Sequence, residues 1–308
     1  MTQPIFIYGA LRSGTTLFRL MLNSHEGLKN PGEVDFLFDF LQRDPTHPTG
    51  WRYRRDEMIC HRIVRAHDLQ FREDLDGLDL LRDLIAQFDE RGKGRLTMNV
   101  HRHADLIAEV LPDARYIHLL RDPRDVARSS IGMGWAGNSY HGVTHWIRTE
   151  MEWREAPIPR DAVFELRFED LMSDIEAHLT NVCSFLGVPF SEVMLGYHLD
   201  TTYGPPDPKI SQQWKRKASS REIALIEGRL GTLLTDYGYV PNGPPAFPRF
   251  FEKTRIGAAN RLGRWRFNIR RFGLPLYLSS HFTKRFGPKW LDRKFRLQMD
   301  KRVIKALK

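Results

Sequence analysis

A strand, a glycine-bearing turn and a helix follow one another at the start of the chain, and that order restricts the fold more than any other feature. Ile5 to Tyr8 reads as a buried strand, and Leu17, Leu20, Met21 and Ser24 recur at helical spacing beyond it. Between them Gly9, four residues, Gly14, Thr15 and Thr16 fit the phosphate-cradling spacing G-x-x-x-x-G-K-[ST], with Thr15 standing where the lysine belongs. A helix start of this kind offers free N–H groups and a positive dipole end to an anion, and Gly14 lets the backbone approach it. Arg12 supplies the cation of the loop, as a planar fork suited to oxyanions, and the hydroxyls of Thr15 and Thr16 add donors. Taken alone, the same residues also fit an ordinary strand-to-helix turn with a surface arginine.

A second anion signal lies about a hundred residues on. Tyr116 to Leu120 reads as a strand that runs into Arg121-Asp122-Pro123-Arg124-Asp125, with Ser129 two turns into the following helix. Arg121 therefore leaves the carboxyl end of a strand, where open parallel sheets bind ligands. The two segments together resemble the signatures of sulfotransferases that use 3′-phosphoadenosine-5′-phosphosulfate (PAPS): [RK]-S-G-T-[ST] near the N-terminus and R-[DN]-x-[RK]-D-x-x-x-S downstream. The resemblance implies that Arg12, Ser13, Gly14, Thr15 and Thr16 hold the 5′-phosphosulfate and that Arg121 and Ser129 hold the 3′-phosphate. It implies PAPS as co-substrate, the bisphosphate PAP as product, and no metal.

The resemblance extends over roughly residues 4–240, through Phe164 to Leu171 (FELRFEDL) and Tyr237-Gly238-Tyr239, and is nearer to the bacterial and tyrosylprotein-type enzymes than to the cytosolic phenol-type group. Phe168 stands where the family commonly has tyrosine, which removes a hydroxyl donor and leaves stacking. The segment Ser211-Gln212-Gln213-Trp214-Lys215 resembles a late element that closes over the nucleotide, with Ser211 beside it, Trp214 facing a base and Lys215 reaching a phosphate. The same Trp-Lys pair also fits plain packing with a snorkelling lysine.

Arg95 to Val100, Arg115 to Leu120 and Val163 to Phe168 read as further strands; Asp105 to Leu111, Arg124 to Ile131 and the Leu171, Ile175, Leu179, Val182, Leu186 face read as helices. Strands alternating with helices predict an α/β fold of three layers: a phosphate-loop architecture whose central, mostly parallel sheet is flanked by helices. The expected organisation is a catalytic domain over 1–240, a Pro-rich joint over 241–248 and a basic, aromatic-rich extension over 249–308. Asp44 to Asp76, charged and weakly periodic, fits either an acceptor-facing lid or solvated connecting surface.

Charge is concentrated in that extension: residues 249–308 hold 18 Lys and Arg against 3 acidic residues, a net +15, so the rest of a +9 chain carries −6. Phe267, Phe272, Phe282, Phe286, Trp290 and Phe295 interleave with the cations. This composition fits an anionic membrane surface, or a helical extension packed on the catalytic domain or on a second copy in a homodimer; nucleic acid is disfavoured, because basic patches alone carry no base readout. Cys60 and Cys183 lack the spacing of a metal site or disulfide framework, and the first strand begins at Pro4. A cytoplasmic enzyme, in one reading peripheral at a membrane, is the expectation.

Sulfuryl transfer to a hydroxyl needs a base for the acceptor proton and positive charge at the departing oxygen. Arg12 is the expected cation. Glu33, in Asn30-Pro31-Gly32-Glu33, matches the position of a proposed base in tyrosylprotein-type enzymes, and His101, in Asn99-Val100-His101-Arg102-His103, lies near where cytosolic enzymes carry a catalytic histidine. Glu33 is the preferred base and the pair His101 and His103 the alternative, although a histidine beside a helix start also fits a structural hydrogen-bonding role; His25 reads as structural. Three glycines around Trp135 suggest a flexible loop able to line an acceptor pocket. The acceptor class is a hydroxyl on a carbohydrate, a lipid-linked group, a small molecule or a peptide tyrosine; no residue chooses among them, and the basic tail tilts toward a lipid-linked or anionic acceptor. Two rivals stand beside this reading: a kinase-like phosphotransferase, which would want a lysine at Thr15, and a non-catalytic module that binds anionic surfaces through its basic tail.

Overall fold

The computed structural model describes residues 3–199 and 201–307. Its strands are β1 (Ile5–Tyr8), β2 (Leu28–Lys29), β3 (Leu41–Arg43), β4 (Trp51–Tyr53), β5 (Arg95–Val100), β6 (Arg115–Leu120) and β7 (Val163–Arg167). Five of them form one sheet in the order β2-β5-β1-β6-β7, and β3 and β4 form a separate antiparallel hairpin. Every pairing in the five-stranded sheet is parallel; β1 sits at its centre, with Tyr8 level with Val100 on one side and with His118 on the other. The chain leaves β1 towards β5 and later crosses to β6, so the direction of winding reverses beside β1. Ligands of open parallel sheets bind at such a reversal, outside the carboxyl ends of the strands.

Alternation along the strands divides the core in two. Phe6, Tyr8, Met98, Val100 and Tyr116 point to one face, against Leu80, Leu84 and Phe88 of the helix Gly77–Asp89. Ile5, Ile7, Ile117, Leu119 and Leu166 point to the other, against Phe18, Met21, Leu179 and Val182. Each large side chain so buried contributes roughly 1.5–3 kcal/mol by leaving water. The expected α/β fold with a central parallel sheet is thus the observed one.

Local boundaries differ from the sequence reading in instructive ways. Phe168 opens the helix Phe168–Ser173 rather than ending β7. Asp44 to Asp76 is not plain solvated surface: it holds β4 and the short helices Arg55–Cys60 and Arg62–Ala66, and it buries Trp51, Tyr53, Met58, Val64 and Leu69.

By its internal contacts the chain divides into two compact units, Met1–Val126 with His145–Ala218, and Ala127–Thr144 with Ser219–Lys308. The sheet lies in the first. The second is helical and contains Ser220–Leu230, Phe250–Phe272, Leu274–Phe286 and Lys289–Leu307. Within it, the Pro-rich stretch 241–248 is tied to the helix Ser220–Leu230, because Ala246 N–H donates to the Ala224 carbonyl at 2.8 Å and Asn242 N–H to Glu227 Oε1 at 3.0 Å. Two of the three glycines near Trp135 serve close packing: side chains at Gly134 and Gly137 would overlap Phe267 and the Asn260 backbone, whereas Gly132 has open space.

Candidate active site

The loop after β1 is shaped by steric demand. A Cβ at Gly9 would overlap the Leu119 carbonyl of β6, and one at Gly14 would overlap the Phe168 ring. Gly14 also has φ of 94° and caps the helix Thr15–Asn23 without a side-chain hydrogen bond, and no acidic residue occupies that helix's first turn. Arg12 adopts φ of 76°, left-handed backbone that is uncommon for a residue with a side chain. Ser13 is fully buried, and its Oγ has no hydrogen-bond partner among the described residues. A helix start without negative charge, beside a buried unsatisfied hydroxyl, is chemically suited to an anion.

One strand away, the edge of the sheet positions Glu33. The Asn30 amide donates to Thr97 Oγ1 at 2.9 Å and to Asn99 Oδ1 at 3.0 Å, while its own oxygen accepts the Gly32 N–H at 2.8 Å. This pins the turn so that Glu33 pairs in parallel register with Asn99, whose side-chain amide donates to the Thr15 carbonyl at 3.3 Å. The phosphate-loop helix and the carboxylate are thereby connected through one buried amide.

Glu33 and His101, alternatives in the sequence, are neighbours in space: Glu33 Oε1 lies 3.5 Å from His101 Nε2. His101 Nδ1 lies 2.7 Å from the Gly9 carbonyl, so Nδ1 carries a proton, and the His101 N–H donates to Asp35 Oδ1 at 2.8 Å. Burial opposes the charge on His101, but the hydrogen bond to Glu33 and the charge of Asp35 outweigh it, and its pKa rises above the ordinary 6.5. The His101 hydrogen bond in turn holds the Glu33 carboxyl below its ordinary 4.5, against the cost of its partial burial. Each group of the pair thus favours the charged form of the other. The Glu33 side chain is 47% exposed and that of His101 2%, so only the carboxylate is reachable by an acceptor.

His103 has a different task. It meets Asp39 Oδ1 at 2.8 Å, and Arg102 grips the same carboxylate at 2.7 and 2.5 Å. Burial raises the Asp39 pKa, yet these bonds prevail and hold it at about 2. His25 bonds the Pro189 carbonyl and accepts the Gly27 N–H, closing a turn.

At the ends of β6 and β7, Arg121 spans two backbone segments. Its guanidinium donates to the Arg12 carbonyl at 3.1 Å and the Ile210 carbonyl at 2.7 Å, and it lies 4.4 Å from the centre of the Phe168 ring. Its Nε has no hydrogen-bond partner among the described residues, and burial lowers its pKa. Phe168 is thus a buried floor between Gly14 and Arg121 rather than an open stacking surface. Glu169 accepts the Asp122 N–H at 3.0 Å, and burial raises its carboxyl to about 7.

Trp214 is buried: its indole N–H donates to Asp122 Oδ2 at 2.9 Å, its backbone N–H to Asp125 Oδ1 at 2.8 Å, and the Arg124 guanidinium covers its ring at 3.7 Å. It anchors the segment 208–217 to the start of the helix Pro123–Gly132. Lys215 is exposed and bonds Gln212, and Ser211 Oγ donates to the Pro208 carbonyl. Ser129 follows on the same helix but within the second compact unit.

Sequence reading missed His145, on the helix Thr144–Glu155, whose Nε2 lies 2.9 Å from the Leu11 carbonyl and whose pKa is lowered by burial. Nothing local marks it. Asn99 was discernible, since a polar residue within the buried strand β5 needs a partner.

A glycine-capped helix start, an exposed carboxylate and a buried arginine thus lie at the carboxyl ends of the strands of a parallel sheet, where α/β enzymes bind their ligands. The sulfotransferase-family profile matches residues 4–192, more than half of the chain, and the chain belongs to that family. A putative protein-tyrosine sulfotransferase of Caenorhabditis briggsae is 25% identical over 208 residues, covering 64% of this chain and 69% of that protein. The omega-hydroxy-beta-dihydromenaquinone-9 sulfotransferase Stf3 of Mycobacterium bovis (strain ATCC BAA-935 / AF2122/97) is 26% identical over 154 residues, covering 45% and 39%. The match spans as little as 27% of one curated relative's length. The sulfotransferase domain from the curacin biosynthetic pathway shares the fold, with a TM-score of 0.52 at 18% identity, covering 78% of this chain and 99% of that domain.

Proposed function

We propose that the chain transfers a sulfuryl group from PAPS to an acceptor hydroxyl, with Glu33 as the base. The observation that carries this reading is the placement of the exposed Glu33 carboxylate, held by buried His101, one strand from the phosphate loop. The residues present fit the donor: an uncapped helix start, the buried unsatisfied Ser13 hydroxyl and the absent Cβ of Gly14 suit the phosphosulfate end. Ser13, Gly14, Thr15, Thr16 and Arg12 would hold that end. Arg121 would take the 3′-phosphate with its Nε, which has no hydrogen-bond partner among the described residues. Ser129 belongs to the second unit, so the assignment rests on Arg121. Ser211 and Lys215 would border the nucleotide, with Trp214 as anchor.

When bound, PAPS supplies an activated sulfuryl group on a phosphate leaving group. Glu33 accepts the acceptor's hydroxyl proton as the new S–O bond forms. His101 orients Glu33 and favours its ionised form, and the Gly9 carbonyl fixes the ring. Arg12 and the loop N–H groups would supply the positive charge that steadies the leaving phosphate oxygen as its bond to sulfur breaks. The mycobacterial relative, named for omega-hydroxy-beta-dihydromenaquinone-9, supports a lipid-linked hydroxyl here, and the Caenorhabditis briggsae relative, named for protein tyrosine, supports a peptide hydroxyl.

The test is incubation with isotopically labelled PAPS and separate lipid, carbohydrate and soluble fractions. Label should enter a sulfate ester, with the Glu33→Gln protein inactive. Absence of transfer in all fractions by folded protein that binds PAP would overturn the assignment of activity.

A further inference from the structure

The helix Leu274–Phe286 has an apolar side turned to water. Leu274, Leu278, Phe282 and Phe286 recur at four-residue intervals, which at 3.6 residues per turn puts them on one side, and they are 47%, 42%, 64% and 70% exposed. The Phe282 and Phe286 rings lie 5.4 Å apart, forming a continuous patch. The helix is not short of internal packing, because its other side carries Leu276 and Thr283, both buried. Trp290, at the start of the next helix, is 67% exposed and borders a depression of about 330 Å³ together with Arg293 and Lys294. An apolar stripe of this kind marks a contact surface rather than a core.

Charge decides the occupant. The stripe sits in a segment of net +15, and Lys284 and Arg285 are exposed on the same helix. A second copy would bring an equal positive charge to a self-complementary interface. An anionic bilayer attracts each cation by about 1 kcal/mol near its surface and takes up the phenylalanines at the headgroup boundary. No helix among the described residues is long and apolar enough to cross a membrane, so the contact is one of lying on the surface. We infer that the helix Leu274–Phe286, with Trp290 beside it, docks the protein on an anionic membrane surface.

The test is co-sedimentation of the full chain with vesicles of phosphatidylcholine, alone or mixed with phosphatidylglycerol. The full chain should bind the mixed vesicles and bind neutral ones at least about tenfold more weakly; raising salt from about 0.1 M to about 1 M, where the screening length falls from ~10 to ~3 Å, should weaken the binding. Phe282→Ser with Phe286→Ser should lower partitioning at least about tenfold, since each ring loses roughly 1.5 kcal/mol or more of burial. Lys284→Ser with Arg285→Ser should lower it about tenfold or more on mixed vesicles alone. Melting curves and bisphosphate binding should match the parent in both variants. The inference fails if neither vesicle is bound, if both are bound equally, or if the phenylalanine variant partitions like the parent. It also fails if light scattering without vesicles shows a dimer that this variant converts to monomer.

Discussion

The carboxyl edge of the sheet and the C-terminal helices make opposite use of their apolar residues. Around the sheet, Ile5, Phe6, Ile7 and Tyr8 are wholly buried, and the polar groups at the strand ends are tied to one another. In the helix Leu274–Phe286 the phenylalanines face water and basic side chains stand beside them. The contrast teaches that the apolar residues of the first region are accounted for by its own packing, whereas those on this face of the second are not. Substitutions at the sheet edge should therefore alter chemistry or folding, and substitutions on the exposed helix should alter neither.

The largest effect should come from Glu33→Gln, which removes the proton acceptor: turnover should fall about 10²- to 10⁴-fold with PAP affinity unchanged. A turnover loss without an affinity change, read by steady-state kinetics and calorimetry, separates a base from a fold-supporting residue. Gly14→Ala should destabilise by roughly 3 kcal/mol or more, because it combines left-handed backbone with overlap on Phe168, and thermal unfolding would measure it. Arg121→Ala should weaken PAP binding about 10- to 100-fold, the cost of a lost charge-assisted contact. Phe282→Ser with Phe286→Ser should change unfolding free energy by less than about 0.5 kcal/mol, which would sharpen the comparison from the other side.

Three pH dependences follow from the same edge. His101 titrates above its ordinary 6.5 in the folded protein, so its contribution to stability is fully present below about 6.5 and is lost as pH rises through the higher folded value. Glu33 titrates below 4.5, so its contribution is present above that pH and is lost as pH falls through the lower folded value. Glu169 has the opposite sign: with its carboxyl raised to about 7 from 4.5, the folded state binds a proton that the unfolded state has lost, and stability declines between those values. Glu169→Gln should flatten that decline in unfolding experiments run across the interval.

Much of the sheet could be read in advance, because β5, β6 and β7 are apolar runs bounded by turns and charges. Asp44 to Asp76 resisted reading because its buried residues sit on elements of three to six residues, too short to display a period. At the site, residue types were legible and relationships were not. Glu33 and His101 looked like rivals because nothing local reveals that Glu33 pairs with Asn99, two residues before His101. Trp214 suggested a base-facing ring, but its indole N–H, backbone N–H and ring face are engaged by Asp122, Asp125 and Arg124. His145 reaches Leu11 from a helix distant in sequence, a proximity created only by folding.

The central claim is that the loop from Gly9 to Thr16, without its lysine, serves a donor bearing a 3′-phosphate rather than ATP. Titration calorimetry of the full chain with adenosine 3′,5′-bisphosphate, and separately with ATP and magnesium, tests it most directly. The expected result is binding of the bisphosphate, weakened by Arg121→Ala, with no binding of magnesium-ATP. Binding of magnesium-ATP together with indifference to the bisphosphate would contradict it.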